Sequence, residues 1–193
     1  MSHYTAGVTD PRSTRSRTAI LTAARALLLK EGPAAVTHQR VAQEAGIGRA
    51  TVYRHWPQPD QLLLATMSGS DLPYFRDPVS PIRPWLHGQL RAMATEMTLP
   101  EVAAVTLTLM QGAVWSPQIA AQRDHSITTV TDRLRTALEI AATTGELTTN
   151  TTPEDAAALL LGPLVYRTAM QSGTVPDDLI DRLLDSIGLQ HPA

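Results

Sequence analysis

Four residues in the first third of the chain have side chains suited to contacting a nucleic acid. Arg49, Thr51, Tyr53 and His55 alternate along one short segment. The planar guanidinium of an arginine matches the acceptor edge of guanine, while hydroxyl groups and aromatic rings suit phosphate oxygens. These residue types predict contacts with the base edges and the backbone of duplex DNA.

The sequence offers little for other kinds of chemistry. Six histidines are present, but none has metal-ligand spacing, and no cysteine exists to form a disulfide or ligate zinc. The segment Gly46-Ile47-Gly48 resembles part of a dinucleotide-binding fingerprint, yet Thr51 replaces the third glycine and no strand precedes it. No nucleophile–base pair or pair of carboxylates indicates an enzyme. We therefore expect a non-enzymatic protein without a metal or other cofactor.

Two short predicted helices position the four side chains. Thr37 is a good N-cap for the first helix, and Gly46 ends it. The second helix covers residues 49–55 and is closed by Trp56-Pro57, because proline disfavours helix in the residue before it. A short helix, a glycine-containing turn and a second short helix predict a helix-turn-helix, whose second helix enters the major groove of DNA.

The fold class predicted from apolar periodicity is all-α, with a three-helix N-terminal domain, a larger C-terminal helical bundle and about nine helices in total. The predicted helices cover residues 14–31, 37–45, 49–55, 59–67, 82–98, 100–115, 117–144, 153–172 and 177–187. The predicted regions are a flexible basic arm (1–13), a helix-turn-helix domain (14–57), a connecting helix with a proline-rich loop (58–84), and a ligand-binding and dimerisation domain (85–193).

Charge is unevenly distributed along the chain. Residues 1–56 hold eight basic and three acidic residues, a net charge of +5, whereas residues 57–193 hold eight basic and fifteen acidic residues, a net charge of −7. This asymmetry predicts that only the first part meets a polyanion. No stretch approaches the roughly 18 apolar residues of a membrane span, and the N-terminal segment lacks the apolar core of a signal peptide. We expect a cytoplasmic protein.

The sequence resembles the TetR family of bacterial transcriptional regulators over about residues 14–67. The matching residues are Ile20-Leu-x-Ala-Ala, residues 28–32, Val36-Thr37, Val41-Ala42-x-x-Ala45-Gly46-Ile47 and Ala50-Thr-Val-Tyr-Arg-His-Trp-Pro57. The last of these runs is highly specific. Further on, Gly162-Pro-Leu-Val-Tyr-Arg167 and the two closing helices resemble one actinobacterial-type subclass of TetR C-terminal domains.

The resemblance implies a ligand-responsive repressor that binds a near-palindromic operator as a homodimer. The family's base-reading positions correspond here to Gln39, Arg49, Ala50 and Thr51. Its phosphate contacts correspond to Thr37, His38, Tyr53 and His55. Arg12, Arg15 and Arg17 would reach the DNA backbone or the minor groove, as flexible basic arms do. One departure is Pro59, which stands where the family commonly has a phosphate-binding lysine.

The C-terminal region holds two further sets of candidate residues. A stripe of methionine, aromatic and polar side chains on apolar helices is typical either of a ligand cavity or of ordinary core. The predicted ligand-binding set is Trp85, Leu90, Met93, Met97, Leu107, Met110, Gln111 and Trp115, which suits a small apolar or amphipathic effector. The last two helices are more apolar than a single core requires, which predicts a subunit interface. The predicted interface set is Leu160, Leu164, Leu179, Leu183 and Ile187.

Two alternative functions remain open at this stage. One is an enzyme that uses a cavity in the C-terminal region. The other is an adaptor that responds to a partner protein and uses the helix-turn-helix only for packing.

Overall fold

The computed structural model describes residues 11–67 and 73–190, and these residues form α-helices and no strand. The nine helices are α1 (Pro11–Glu31), α2 (His38–Glu44), α3 (Arg49–His55), α4 (Pro59–Met67), α5 (Ile82–Glu96), α6 (Pro100–Gly112), α7 (Pro117–Thr143), α8 (Pro153–Val165) and α9 (Asp177–Ser186). A 3₁₀ turn, Pro33–Ala35, follows α1, and a π-helical segment, Tyr166–Met170, continues α8. The predicted all-α fold class is confirmed.

Several helix boundaries differ from the prediction. Helix α1 begins at Pro11, because proline is well tolerated in a first helical turn, and the remainder of the predicted arm (1–10) lies outside the described residues. Helix α6 ends at Gly112 rather than at residue 115. Helix α8 contains Pro163, which cannot donate a backbone hydrogen bond, and its regular turns end at Val165.

The chain divides into two compact units, Met1–Gly69 and Ser70–Ala193. Helix α4 therefore groups with the first unit, whereas the sequence placed it in a connecting segment. The reason is its apolar side: Leu62 and Met67 are buried, and α4 packs against α1. The Arg25 side chain adds a hydrogen bond from Nε to the Thr66 carbonyl oxygen at 3.1 Å.

In the first unit, α1 is the helix against which α2, α3 and α4 pack. Its buried side follows the predicted helical spacing and includes Ile20, Ala24, Leu27 and Leu28. The chain leaves α1 through Gly32, whose φ of 81° lies in the left-handed region that favours glycine. Burial of this stripe fixes α1 as the support for the two helices that follow.

In the second unit, one hydrophobic core joins α5, α7, α8 and α9. Its fully buried side chains include Leu90 of α5, Leu134 of α7, Leu160 of α8 and Leu184 of α9. The 27-residue α7 is the longest helix and packs against α5, α6 and α8. The core therefore depends on helices that are distant in sequence.

Two charged residues link the start of α5 to other parts of this unit. Buried Arg83 donates hydrogen bonds to the Leu189 carbonyl oxygen at 2.6 Å and pairs with Asp185 at 2.8 Å. The Glu146 carboxylate accepts from the backbone amide of Ile82 and from the Ser80 hydroxyl group. Arg83 thus links the start of α5 to α9 and the residues after it, and Glu146 links the start of α5 to the turn after α7.

Candidate nucleic-acid interface

Helices α2 and α3 form the predicted helix-turn-helix. The Thr37 hydroxyl group caps α2 by accepting a hydrogen bond from the Arg40 amide at 3.3 Å. Gly46 then takes a φ of 64°, and Val41 and Val52 are both fully buried. The bounds of α3 match the prediction because Gly48 precedes it and Trp56-Pro57 ends it.

The exposed face of α3 carries an ordered pair of side chains. The Arg49 guanidinium lies 5.2 Å from the centre of the Tyr53 ring, and its Nη2 donates to the Tyr53 hydroxyl oxygen at 3.0 Å. The two residues are one helical turn apart, a spacing that brings side chains together. Both are exposed, so a positive charge and a phenol hydroxyl group are presented together to solvent.

The His38 imidazole supports this pair from below. Its ring stacks on the Tyr53 ring with centroids 4.0 Å apart and planes 1° apart. Its Nε2 lies 2.6 Å from the Trp56 carbonyl oxygen. Since a carbonyl oxygen can only accept, Nε2 carries the proton and donates it. A continuous stack therefore runs from Arg49 through Tyr53 to His38.

This burial corrects the role predicted for His38. Its side chain is only 4% exposed, so the imidazole does not present a donor to a phosphate as the sequence suggested. Position 38 faces inward because it lies one turn before buried Val41 on α2. The structure assigns the His38 ring to packing beneath Tyr53.

The remaining predicted DNA contacts occupy the same part of the unit. Gln39 and Ala50 are exposed, and Thr51 is half-buried. His55 is also half-buried, its ring tilted against Trp56 at 5.4 Å, and its Nε2 is buried without a hydrogen-bond partner. In this conformation His55 therefore does not offer Nε2 to a phosphate.

The three arginines compared with a basic arm all lie on α1, although Arg12 falls within the predicted arm (1–13). Arg12, Arg15 and Arg17 belong to α1 and are exposed. The Arg17 guanidinium lies 5.6 Å from the centre of the Trp56 ring, where the ring face attracts a cation. Trp56 itself is buried. The contact with Trp56 places the Arg17 cation next to the residue that ends α3.

The predicted ligand-binding residues differ widely in burial. Leu90 and Met97 are buried in the core, and Trp85 and Met93 are partly buried against it. The others, on α6 and in the turn after it, are exposed: Leu107, Met110, Gln111 and Trp115. Elsewhere in this unit, a small open cleft of about 240 Å³ is lined by Arg83, Pro84, His87 and Asp181.

The predicted interface residues prove to be largely core residues. The structure buries Leu160, Leu164, Leu183 and Ile187 within the unit and leaves Leu179 half-buried. This corrects the prediction. The large apolar side chains that α8 and its π-helical continuation expose are instead Leu159, Tyr166 and Met170.

Sequence reasoning missed the support that His38 gives to Tyr53. Burial of position 38 depends on how α2 and α3 cross, which no local pattern records. The contact between Arg49 and Tyr53, by contrast, carries a sequence signal, because residues four apart on a helix are neighbours.

Two family models match the chain. The model for the tetR family of bacterial regulatory proteins matches residues 20–66, and the model for a tetracyclin repressor-like C-terminal domain matches residues 83–187. The second match covers more than half of the chain. No curated protein sequence matches.

Solved structures with the same fold include three proteins that match over most of their own length. NalD, the secondary repressor of the MexAB-OprM multidrug efflux pump in Pseudomonas aeruginosa, has 24% identity and a TM-score of 0.68 over 92% of this chain and 97% of its own. GusR of Salmonella enterica has 22% identity and a TM-score of 0.73 over 93% and 98%. SmeT in complex with triclosan has 20% identity and a TM-score of 0.72 over 89% and 91%.

Across residues 11–67 and 73–190, no helix combines the length and apolar character needed to cross a membrane. The same residues contain no cluster of three or more acidic or histidine side chains arranged to hold a metal ion.

The two family models and the helix-turn-helix agree: the chain belongs to the TetR family of DNA-binding transcriptional regulators.

Proposed function

We propose that the protein is a ligand-responsive repressor that binds a near-palindromic operator as a homodimer and acts in the cytoplasm. The observation that carries this proposal is the exposed pair formed by Arg49 and Tyr53 on α3, held by the buried ring of His38. Such an ordered cation and hydroxyl group suit the edge of guanine and a neighbouring phosphate.

Within the proposed interface, α3 supplies most of the base contacts. Arg49, Ala50 and Thr51 lie at its N-terminal end, which is the end that a recognition helix inserts into the major groove. Gln39 on α2 adds an exposed amide. We assign Tyr53 and Thr37 to phosphate contacts, with Arg12, Arg15 and Arg17 supplying charge from α1.

The proposed homodimer uses the outward face of α8. Leu159 is 43% exposed, Tyr166 is 56% exposed and Met170 is 68% exposed. Spacings of seven and four residues place side chains on one side of a helix. A second copy packing on this face would bury them and would pair two recognition helices, which must lie about 34 Å apart to meet successive major grooves.

The proposed effector is a small apolar or amphipathic molecule. Trp85 and Met93 of α5 are partly buried against the second-unit core, where a small rearrangement would give a ligand access to Leu90 and Met97. The binding of triclosan by SmeT, a protein of the same fold, supports this chemistry. Effector binding would favour a dimer geometry whose two α3 helices no longer fit one duplex.

Selection of bound sequences from random duplex DNA tests the DNA-binding part of the proposal. We expect enrichment of a near-palindrome with half-sites one helical turn apart. Binding of the selected duplex should fall about tenfold or more in Arg49→Ala and in Tyr53→Phe, because each loses a contact to DNA. Fluorescence anisotropy measures both affinities.

The matched control for this experiment is Arg182→Ala. Arg182 is an exposed arginine in an i,i+4 pair, like Arg49, but it lies in the second unit. Its loss should leave operator affinity unchanged. If no sequence is enriched, or if all three variants bind like the wild type, α3 is not the reading surface.

Effector response needs a separate measurement. Apolar aromatic compounds, with triclosan as the first, are screened for a rise in melting temperature and for release of the selected duplex. A compound at 100 times its dissociation constant stabilises a protein by about 2.7 kcal/mol, which shifts the melting temperature by several degrees. The rise in melting temperature on ligand binding should be smaller in Trp85→Ala than in the wild type. If operator affinity does not change with any compound that binds, the ligand-response part of the proposal is wrong.

A further inference from the structure

The outward side of α6 is apolar and extends into the turn that follows it. Leu107 and Met110 are exposed on α6, Val114 is 67% exposed, and Trp115 is 83% exposed. We name these four residues the α6 patch. A tryptophan so exposed is costly, because its large apolar surface remains in contact with water. Large apolar surface of this kind marks an interaction site.

The patch lies in a segment without charge. Residues 102–122 contain no aspartate, glutamate, lysine, arginine or histidine. Solvent-facing helices normally carry charged residues, whereas the cores of subunit interfaces are depleted in charge and enriched in aromatic residues and methionine. Apart from Glu101 in its first turn, the composition of α6 therefore matches a helix that is covered on both sides.

The α6 patch lies on a helix that contacts the continuation of α8. Helix α6 packs against the π-helical segment Tyr166–Met170, whose own exposed side chains belong to the proposed dimer face. Of the large apolar side chains that stand exposed in the described residues, the α6 and α8 regions supply most. The two apolar faces thus belong to neighbouring elements of one unit.

A stable dimer interface buries more surface than the exposed face of α8 alone offers. A standard protein interface buries about 800 Å² and about 20–30 residues on each partner, and permanent homodimers bury more. The large apolar side chains that α8 and its continuation expose are only three: Leu159, Tyr166 and Met170. The α6 patch supplies four more, including the residue type most enriched among binding hot spots.

We infer that the α6 patch packs against a second copy of this chain and enlarges the dimer interface beyond α8, with Trp115 as its anchor. This inference rests on the proposed homodimer. The contact brings the turn between α6 and α7 into the dimer interface. It also covers the apolar surface that a single copy exposes to water.

Charge argues against a lipid surface as the occupant. Residues 70–193 hold eight basic and fourteen acidic residues, a net charge of −6. Next to the patch in sequence, Arg123 is paired with Asp124 at 2.7 Å. A helix that lies on an anionic membrane carries lysine and arginine on its polar side, and this part of the chain does not provide them.

Sedimentation equilibrium of the full chain tests the inference. Trp115→Gln should raise the dimer dissociation constant about thirtyfold or more, the loss that marks a hot spot. Val79→Gln is the matched control, because Val79 is also exposed and apolar (62%) but lies outside both helices. Val79→Gln should leave the dimer dissociation constant unchanged. Circular dichroism should show the same helix content in both variants, since neither side chain contributes to the core.

A third variant separates this inference from the proposed function. Leu159→Gln, on the α8 face, should also weaken the dimer. If Leu159→Gln weakens the dimer and Trp115→Gln does not, the homodimer stands and the role of the α6 patch is wrong. If the wild type is monomeric at all concentrations and on its selected duplex, both the proposed homodimer and the role of the α6 patch are wrong.

Fluorescence identifies the occupant. In the wild type, tryptophan emission should shift to shorter wavelength as protein concentration rises. The absence of this shift in Trp115→Phe would support burial of Trp115 by a second copy. A shift produced instead by phosphatidylglycerol vesicles at a protein concentration below the dimer dissociation constant would overturn the inference.

Discussion

The rings of His38 and Tyr53 stack in parallel, with centroids 4.0 Å apart and planes 1° apart. One ring is buried and the other is exposed, so the stack crosses the boundary between the interior and the surface of the first unit. His38 is fixed by its hydrogen bond to the Trp56 carbonyl oxygen, and Tyr53 carries the Arg49 guanidinium. The exposed pair on α3 is therefore ordered before any DNA is bound, which reduces the entropy lost on binding.

Replacement of His38 by leucine and by phenylalanine tests this role. Both variants lose the hydrogen bond to Trp56 and should lower the melting temperature to a similar extent. Only phenylalanine keeps a ring beneath Tyr53, and an aromatic pair contributes about 0.5–1.5 kcal/mol. We expect His38→Leu to bind the selected duplex about three- to tenfold more weakly than His38→Phe, measured by fluorescence anisotropy.

The control for this comparison is His125→Leu, an exposed histidine of α7. It should change neither the melting temperature nor the affinity. Equal affinities of His38→Leu and His38→Phe would show that the stack has no part in DNA binding.

Arg49→Lys tests whether the guanidinium reads a base or only contributes charge. Lysine keeps the positive charge, so the dependence of affinity on salt should not change. It lacks the planar fork that contacts guanine with two hydrogen bonds, so preference at one position of each half-site should fall about tenfold or more. Selection from random DNA with each protein measures this preference. An unchanged preference would assign Arg49 to phosphate rather than to a base.

The helix-turn-helix was predictable from local signals. The N-cap Thr37, the stop at Gly46 and the closing Pro57 act within a few residues of the backbone they control. Each of these effects depends on neighbours in the sequence. The bounds of α3 could therefore be assigned without knowledge of tertiary contacts.

The inward side of α8 was not predictable in the same way. Leu159, Leu160 and Leu161 follow one another, and helical periodicity does not show which side of a uniformly apolar helix faces the core. Packing against α7 and α9 buries Leu160 and leaves Leu159 exposed. Burial of His38 is a similar case, because it depends on the crossing of α2 with α3.

Acid should remove the stabilisation that Glu146 provides. Partial burial raises its pKa, but hydrogen bonds from Ser80, Thr144 and the Ile82 amide outweigh this and hold the pKa below its ordinary value of 4.5. A carboxyl group with a lowered folded-state pKa stabilises the protein above its unfolded-state pKa, and this contribution is lost as pH falls through the folded-state value. Glu146→Gln should therefore lower the free energy of unfolding by about 1 kcal/mol at pH 7.

Urea denaturation at several pH values measures this effect. The difference between the wild type and Glu146→Gln should persist at pH 6 and become smaller as pH falls below 4.5. Glu139→Gln is the control, because Glu139 is an exposed glutamate of the neighbouring α7. A difference that does not depend on pH would show that the charge of the Glu146 carboxylate is not what stabilises the contact between the start of α5 and the turn after α7.

Pro59 should make operator binding less sensitive to salt than in relatives with lysine at this position. Pro59 is the exposed first residue of α4, close in sequence to the end of α3, and Asp60 follows it. Each phosphate neutralised by a cation contributes about 0.9 to the slope of log affinity against log salt. Pro59→Lys should therefore steepen the slope by about one unit per subunit and tighten binding at low salt.

Pro100→Lys, at the exposed start of α6, adds the same charge in the second unit and should leave the slope nearly unchanged. Equal slopes for the two variants would show that the start of α4 does not approach a phosphate, because a cation there would have no anion to neutralise.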